Sequence, residues 1–162
     1  MSVAVLVGNP KPRSRTREAA LRVASELYGG VPDFDIDLAD LGPALLDPSS
    51  DWVDAAIEQV SQSRLLVVAS PTYKGTYTGL LKLFFDRIQA GALEQVAAVP
   101  LMLGADSRHA LAVETFLKPV LSELGASTPT KGLFLLDESW GDPDALAPWL
   151  SVARRQLGGV LA

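Results

Sequence analysis

The chain has 162 residues, 48% of them hydrophobic, a formal net charge of −5, no cysteine and one histidine. This length suits one domain with a substantial core, which we expect to span residues 1–162. The absence of cysteine excludes disulfides, thiol nucleophiles and thiolate metal sites. The lone His109 argues against a His-based metal site or a Ser-His-Asp triad, and the acidic balance argues against nucleic acid as a partner.

No apolar run approaches the ~20 residues that a membrane span needs. The first residues, MSVAVLVGNPKPR, lack the basic region and the longer apolar stretch of a signal peptide. We therefore expect a cytoplasmic protein that does not cross a membrane. Because the chain has so few catalytic acids, bases and nucleophiles, an enzymatic activity would depend on a cofactor.

Along the chain, apolar runs typical of buried strands alternate with segments of helical periodicity. The run 3–8 (VAVLVG) predicts the first strand, and Ser14 is a candidate N-cap of the helix that follows. In the second helix we expect Trp52, Ala56, Ile57 and Val60 to point inward. The predicted strands are residues 3–8, 34–38, 65–69, 97–103 and 131–136. The predicted helices are residues 14–28, 51–63, 79–88, 107–124 and 143–157.

This alternation indicates a doubly wound parallel sheet, in which the most hydrophobic strand, 65–69, should be central. Two strand orders are common for such sheets, the dinucleotide-binding type and the flavodoxin type. Both bind ligands outside the carboxyl ends of the strands. Three loops at that edge carry unusual side chains: the first loop (residues 8–16), the second loop (71–77) and the third loop (103–110).

The first loop, GNPKPRSRT, has one glycine, so it is neither a dinucleotide fingerprint nor a Walker A loop. Ser14 and Thr16 place hydroxyl groups at a helix N-terminus, where backbone amides favour an anion. Five basic residues concentrate in this region: Lys11, Arg13, Arg15, Arg17 and Arg22. The pattern predicts a site for a terminal phosphate. The alternative is a capped helix with solvated arginines.

The second loop, PTYKGTY, carries more chemistry than a connector needs. Tyr73 and Tyr77 offer flat apolar faces, and Thr72 and Thr76 offer hydrogen bonds. Gly75 allows close approach of the backbone. This combination suits a planar ring with polar edges. The alternative for Tyr77 is a core position at the start of the helix.

The third loop, LGADSRHA, follows the fourth strand with Gly104, and Asp106 or Ser107 can cap the next helix. Such a loop can close over the second edge of a ring. His109 lies in the first helical turn, where the helix dipole favours a neutral, hydrogen-bonding imidazole; the alternative is a partly buried packing histidine. One phosphate loop and one aromatic loop fit FMN better than NAD(P).

The stretches GNPKPRSRT, SPTYKGTYTGLLKLFFD and HALAVETFLKPVLSELGA together resemble the NADPH-dependent FMN reductases, especially the small sulfonate-assimilation type. The resemblance extends from the first strand to about Leu136. It implies a flavodoxin-like three-layer sandwich: a five-stranded parallel sheet of order 2-1-3-4-5 with helices on both faces. It also implies that FMN phosphate is held by the first loop and the isoalloxazine by residues 71–77 and 104–106. The candidate FMN-binding residues are Asn9, Arg13, Ser14, Arg15, Thr16, Pro71, Thr72, Tyr73, Lys74, Gly75, Thr76, Tyr77, Gly104, Ala105 and Asp106.

By the same resemblance the protein is an NAD(P)H:FMN oxidoreductase that uses NADPH or NADH. Hydride transfer in such an enzyme needs alignment rather than a catalytic side chain. Family members usually form homodimers or homotetramers, and many supply reduced flavin to a separate monooxygenase. Three alternatives stay open: a quinone, azo or nitro reductase that retains FMN, a flavodoxin-like electron carrier, and a nucleotide-phosphate binder without flavin.

One position departs from the sulfonate-type pattern. Those reductases have an aromatic residue or a histidine just before Leu-Lys-Pro, in a π-helical bulge that packs at the tetramer interface over the flavin. Here the matching residue is Thr115, followed by Phe116. Independently of the family, Pro119 cannot donate a hydrogen bond to the carbonyl of Thr115, so we expect a helix irregularity there. The threonine favours a flavin that stays bound.

Overall fold

Five parallel strands form the centre of the computed structural model, which describes residues 1–161. The strands are β1 (Val3–Val7), β2 (Phe34–Asp37), β3 (Leu65–Pro71), β4 (Ala97–Gly104) and β5 (Leu133–Leu136). The α-helices are α1 (Arg15–Tyr28), α2 (Leu38–Leu41), α3 (Asp51–Ser61), α4 (Gly79–Phe85), α5 (Lys118–Glu123), α6 (Pro143–Gln156) and α7 (Gly158–Leu161). The remaining helical segments are the 3₁₀ turns Gly42–Leu46 and Ser107–His109 and the π-helix Val113–Leu117.

The strand order is β2-β1-β3-β4-β5, so the flavodoxin-like prediction is confirmed and the dinucleotide-binding order is excluded. Strand β3 is central, as its hydrophobicity predicted. Val7 pairs with Ala69, and Pro71 pairs with Leu103. The carboxyl ends of β1, β3 and β4 therefore lie side by side at one edge of the sheet.

Helices cover both faces of the sheet, and the alternation within β1 shows how the two cores divide. Val3, Val5 and Val7 pack in one core with the apolar faces of α1 and α6. Ala4 and Leu6 belong to the opposite core, which α3, α4 and α5 cover. Both faces of the strand are thus buried, which explains its uninterrupted apolar run. Within residues 1–161, no helix combines the length and apolarity that crossing a membrane requires.

The expected inward face of α3 was partly wrong. Trp52 is 57% exposed, whereas Val53 is fully buried with Ala56 and Val60. These three positions lie on one stripe of a helix with 3.6 residues per turn, and Trp52 falls about 100° away from Val53. The predicted inward face was therefore right at Ala56 and Val60 and wrong at Trp52.

The single helix expected over residues 107–124 is wrong as a continuous element, because a 3₁₀ turn and a π-helix precede α5. The expected irregularity at Thr115 is confirmed. Thr115 lies within the π-helix, in which the amide of Lys118 donates to the carbonyl of Val113, five residues earlier. Pro119 follows directly and supplies no amide. The segment thus satisfies its carbonyls by widening one turn.

Two side chains attach the π-helix to the segment before β5. Glu114 Oε1 accepts a hydrogen bond of 2.6 Å from the amide of Gly132. Lys118 Nζ lies 3.1 Å from Glu114 Oε2 and donates to the carbonyl of Thr130 at 2.9 Å. Although partial burial works in the opposite direction, these two donors hold the pKa of Glu114 below its usual value.

Candidate functional site

The three loops that the sequence singled out meet at the carboxyl edge of adjacent strands. The first loop follows β1, the second follows β3 and the third follows β4. The amide of Gly8 donates to the carbonyl of Ala69 at 2.8 Å. The amide and hydroxyl of Thr72 both donate to the carbonyl of Leu103, at 2.7 and 2.9 Å. Backbone pairing thus brings together residues that are far apart in the sequence.

The first loop is held by hydrogen bonds of its own side chains. Asn9 is buried; its Nδ2 donates to Thr16 Oγ1 at 3.0 Å and its Oδ1 accepts from the amide of Lys11 at 2.9 Å. Ser14 is the N-cap of α1, as predicted, and its hydroxyl accepts from the amide of Arg17. The amides of Arg15 and Thr16 have no hydrogen-bond acceptor among residues 1–161. They remain free for an anion at the start of α1.

Sequence analysis missed Asp37, which holds the first loop from the neighbouring strand. Its Oδ2 accepts a 3.0 Å hydrogen bond from the amide of Arg13, and its Oδ1 accepts one of 3.3 Å from the amide of Ala39. Burial raises the pKa of Asp37, and the two amides partly offset that rise. An acidic residue at the end of a strand beside the ligand edge was the available signal.

The five basic residues of this region divide into two groups. Arg17 pairs with Asp35, and Arg22 donates to the carbonyl of Trp140 at 2.8 Å, so both have structural partners away from the loop. Lys11, Arg13 and Arg15 make no ion pair within residues 1–161, and all three side chains are exposed. Arg15 Nη1 donates to the carbonyl of Asp137 at 3.1 Å, at the end of β5.

A pocket of about 290 Å³ joins the first loop to the second. Its cationic side is formed by Lys11, Arg13 and Arg15, and Pro71 and Tyr73 line it from the second loop. Glu18 and Asp137 also line it, so the site is not uniformly positive. The remaining lining residues are Asn9, Ser14 and Thr16.

The tip of the second loop is a tight two-residue turn. Tyr73 and Thr76 exchange backbone hydrogen bonds of 2.9 and 3.2 Å. Between them Lys74 and Gly75 have φ values of 53° and 83°, the combination of a type I′ hairpin. Gly75 therefore serves the turn geometry, since an added Cβ would meet no atom within 4 Å. The hairpin leaves the Tyr73 ring 50% exposed at the mouth of the pocket.

Tyr77 lies on the inner side of the second loop. Its ring packs against the core and contacts Phe85 edge to face, with centroids 6.2 Å apart. The core alternative for Tyr77 is therefore the arrangement observed, although the residue is not fully buried. Tyr73 is the more available of the two rings for a ligand.

Two hydroxyl groups that sequence analysis did not select hold the second loop: one joins it to the first loop, and the other joins its two ends. Thr78 caps α4 by accepting from the amide of Leu81, and it donates to the carbonyl of Gly8 at 2.5 Å. The Thr78 amide in turn donates to Ser70 Oγ at 3.1 Å. Both residues are buried. A threonine directly before a glycine and an apolar helix was a recognisable N-cap signal.

The third loop lies beside the second, and its side chains mostly satisfy each other. Asp106 caps the 3₁₀ turn through the amide of Arg108 and also pairs with the Arg108 guanidinium at 2.8 Å. At Gly104 an added Cβ would lie 2.7 Å from the Phe134 ring, so only glycine fits. His109 is exposed, and the packing alternative for it is wrong.

The structure thus assembles some of the candidate residues and leaves others at the margin. Seven of the candidates line the pocket: Asn9, Arg13, Ser14, Arg15, Thr16, Pro71 and Tyr73. Thr72 and Gly104 lie directly behind it, with an added Gly104 Cβ 3.1 Å from Thr72 Oγ1. Besides these two, six further candidates do not line it: Lys74, Gly75, Thr76, Tyr77, Ala105 and Asp106.

These donors fit a flavin mononucleotide. The free amides of Arg15 and Thr16, the Ser14 hydroxyl and three cationic side chains suit a phosphate dianion. At the other side of the pocket Tyr73 offers an exposed aromatic face next to the backbone of residues 71–76. The fold is that of a flavodoxin-like protein, and the pocket at the carboxyl edge of its sheet is the candidate mononucleotide site.

Comparison with known proteins agrees with this class. The family model described as NADPH-dependent FMN reductase matches residues 1–141. The chain belongs to the NADPH-dependent FMN reductase family. The predicted family and class of enzyme, an oxidoreductase that reduces FMN with a reduced nicotinamide, are thereby confirmed.

Individual relatives support the same assignment. The chain is 32% identical to the NADH-dependent FMN reductase SfnF of Pseudomonas fluorescens (strain Pf0-1) over 151 residues, 88% of this chain and 80% of the relative. It is 35% identical to the FMN reductase (NADPH) of Escherichia coli (strain K12) over 144 residues, 85% of this chain and 74% of the relative. The crystal structure of the NADH:FMN oxidoreductase EmoB in its apo form superposes with a TM-score of 0.87 at 28% identity, covering 96% of this chain and 87% of that one.

Proposed function

We propose that residues 1–162 act as one FMN-binding domain, which uses the pocket between the first and second loops to reduce FMN with NADPH or NADH. The observation that carries the proposal is the pocket itself. It combines unpartnered amides and three cations with an exposed tyrosine, and it lies at the edge where this fold places ligands.

In this proposal the phosphate is held by the amides of Arg15 and Thr16 and by the Ser14 hydroxyl. Arg13 and Arg15 add positive charge, and Asn9 keeps Thr16 in place through its 3.0 Å hydrogen bond. A phosphate that binds such preformed donors needs little rearrangement of the protein, which favours affinity.

The isoalloxazine would be held by residues 71–77 on one edge and by residues 104–106 on the other. Tyr73 and Pro71 supply apolar contact, and the hairpin backbone supplies hydrogen-bonding groups. The close packing at Gly104 keeps the third loop against Thr72, so the two loops would act as one wall.

The chemistry requires no acid or base from the protein. Bound FMN would supply the redox step, the acceptance of a hydride from the reduced nicotinamide. The side chains of this protein bind the phosphate, orient the ring through the second loop and limit water access on the side of Pro71 and Tyr73. Alignment of the two reactants is the contribution expected of the protein.

We also propose that flavin exchanges with solution and that reduced flavin passes to a separate flavin-dependent monooxygenase. The support is the exposure of the site: the side chains of Tyr73, Lys74 and Ala105 are exposed. A second candidate, a reductase that retains FMN and reduces a quinone, azo or nitro compound, is favoured by Thr115 in the π-helix.

We propose that the protein is a cytoplasmic homodimer or homotetramer, because reduced nicotinamides are cytoplasmic cosubstrates and apolar side chains remain uncovered. Leu83, Leu111 and Phe116 are exposed near α4 and the π-helix. Trp52 is exposed as well, whereas Trp140 and Trp149 pack against the core and leave little surface for a partner. Exposed aromatic and apolar groups of this kind are enriched at interfaces.

The deciding experiment is the oxidation of NADPH and of NADH by the purified protein, with and without added FMN, after its visible spectrum has been recorded. A colourless protein with saturable FMN-dependent turnover supports the exchanging reductase. A yellow protein that turns over only with an added quinone or dye supports the second candidate. A protein with bound FMN and negligible turnover is an electron carrier, and one without flavin affinity contradicts both proposals.

The ring assignment has its own test in Tyr73→Ala. Loss of the aromatic face should weaken binding of FMN and of riboflavin by the same factor, because both carry the ring. Tyr28→Ala is a matched control, since Tyr28 is also exposed but lies at the end of α1. Unchanged binding of both flavins by the Tyr73 variant would remove the second loop from the ring site.

A further inference from the structure

The first loop contains a backbone conformation that its sequence does not favour. Arg13 has a φ of 50°, in the left-handed region that side chains other than glycine, asparagine and aspartate rarely adopt. It directly precedes Ser14, the N-cap of α1. The turn at Arg13 therefore decides how the chain enters the helix and where the amides of Arg15 and Thr16 point.

The contact that holds this conformation comes from Asp37. The 3.0 Å hydrogen bond from the amide of Arg13 ends on a carboxylate that is only 6% exposed. Asp37 forms no salt bridge with any of residues 1–161, and both its oxygens accept backbone amides. A buried carboxylate without a cationic partner is costly and is retained where its hydrogen bonds serve a purpose.

The position of Asp37 in the fold explains its reach. It ends β2, where it pairs with Val7 at the end of β1, the last strand residue before the first loop. The Asp37 carboxylate thus reaches from the end of β2 to the loop that follows the neighbouring strand β1. It lies behind the loop, outside the set of residues that line the pocket.

We propose that Asp37 is a positioning residue for the flavin phosphate. It does not touch FMN; it holds Arg13 in the left-handed conformation, so that the free amides of Arg15 and Thr16 face the phosphate. Asp37 thereby sets the preference of the protein for FMN over riboflavin. This inference rests on the proposed function, because it assumes that the first loop binds the phosphate.

A positioning role and a purely electrostatic role for Asp37 predict opposite changes in FMN affinity when its carboxylate is removed. Removing a negative charge near an anion site should strengthen FMN binding by Coulomb attraction. If Asp37 positions the loop, its removal releases Arg13 and should instead weaken FMN binding, because the amides and arginines no longer converge on the phosphate. The direction of the change therefore identifies the role of the residue.

The experiment measures the dissociation constants of FMN and riboflavin by flavin fluorescence quenching for the wild type and the variants Asp37→Asn and Asp37→Ser. Asparagine keeps the shape but cannot accept from both amides. Serine keeps an N-cap for α2 and cannot reach Arg13. In Asp37→Ser we expect the FMN preference to fall about tenfold, the scale of one lost hydrogen bond to a charged group, with riboflavin binding unchanged. In Asp37→Asn the fall should be smaller, because the one remaining acceptor oxygen can still serve the amide of Arg13.

Two control variants separate positioning from charge and from fold. Asp40→Asn removes a neighbouring negative charge without touching the loop. Asp33→Asn removes a similar bond, since Asp33 Oδ2 accepts from the amide of Val3 at 2.8 Å at the opposite end of the same strand pair. Asp33→Asn should keep the FMN preference of the wild type, and Asp40→Asn should keep it or raise it slightly, as the loss of a negative charge alone would.

The outcomes are distinguishable. An FMN preference that stays the same or rises in Asp37→Ser overturns the positioning role, whereas a wild type that binds FMN and riboflavin equally overturns the phosphate site itself. The wild type also gives a test that does not depend on variant folding. Without flavin the Arg13 amide should be protected from hydrogen exchange, and exchange at the rate of an unprotected amide overturns the proposal.

Discussion

The first loop and the tip of the second loop lie on either side of one pocket, yet they are held in different ways. Hydrogen bonds connect the first loop to α1, to β2 through Asp37 and to the end of β5 through Asp137. The tip of the second loop relies on the two backbone bonds between Tyr73 and Thr76. The proposed phosphate end of the pocket is thus fixed by bonds to several elements of the fold, whereas the proposed ring end depends on the geometry of a short turn.

This difference suggests separate roles for the two ends of the pocket in binding FMN. In the proposed assignment, the preformed first loop would recognise the phosphate, which is the part of FMN that does not change during reduction. An exposed aromatic face beside a small hairpin suits contact with a ring that must also meet a nicotinamide. The bonds that hold each end predict how substitutions there should change the unfolding free energy and the affinity for flavins.

The largest effect is expected at Thr78, which joins the two loops. In Thr78→Val the buried carbonyl of Gly8 and the amide of Leu81 both lose a partner. Each such loss costs about 1–3 kcal/mol, so unfolding free energy should fall by about 2–4 kcal/mol in urea titrations. Thr78→Ser keeps the hydroxyl and should lose much less. An equal loss in both variants would assign the effect to packing of the methyl group.

Next in size is Arg15→Ala at the phosphate end. Removal of one charge-assisted contact should weaken FMN binding by about 1.5–3 kcal/mol. Riboflavin binding and the unfolding free energy should change little, because the side chain is exposed. Arg155→Ala, on the exposed face of α6, is the matched control. If FMN affinity survives in the Arg15 variant, the arginine does not contact the phosphate.

A smaller effect is expected from Gly75→Ala at the ring end. Alanine in the left-handed conformation of Gly75 should lower the unfolding free energy by about 1 kcal/mol. Gly79→Ala is an apt control, since Gly79 has an ordinary φ and open space around its Cα. The Gly75 variant should bind both flavins more weakly. A loss confined to FMN would mean that the two ends are coupled.

The smallest effect concerns the pH dependence of stability at Glu114. Its pKa is lower in the folded protein than its usual 4.5, so its contribution is present above that pH and is lost as the pH falls through the lower value. Glu114→Gln should flatten this part of the curve of unfolding free energy against pH, by less than about 1 kcal/mol because the group is partly exposed. Glu123→Gln, which removes an exposed carboxylate of α5, is the matched control; an equal flattening in both variants would assign the effect to net charge.

The fold was predictable because its signals are local. Apolar runs such as residues 3–8 and 65–69 and the period of α1 indicate buried strands and an amphipathic helix without knowledge of the partners. Trp52 shows the limit, since it was expected on the inward face of α3, whereas its position places it outside the apolar stripe. The irregularity at Thr115 followed from Pro119, although the break of the whole segment into three parts did not.

Candidate residues were predictable where a suitable residue type lay at a recognisable helix start, as Ser14 does, or shortly after a strand, as Tyr73 does. Asp37 and Thr78 were missed because their roles come from contacts across strands, over 24 and 70 positions of the chain. Arg17 and Arg22 likewise bind Asp35 and the carbonyl of Trp140 instead of facing the pocket, and no local sequence pattern connects them with these partners. Motifs located the loops, and tertiary hydrogen bonds decided which side chains stay available.

The bond between Arg15 and the carbonyl of Asp137 spans 122 positions. Arg15 lies near the beginning of the chain, whereas Asp137 follows β5, which pairs at the outer edge of β4. During synthesis the pocket therefore stays incomplete until β5 has emerged from the ribosome and paired, long after the first loop has been made. Acquisition of flavin binding would then report a late stage of folding, so that FMN could serve as a probe for nascent chains of increasing length.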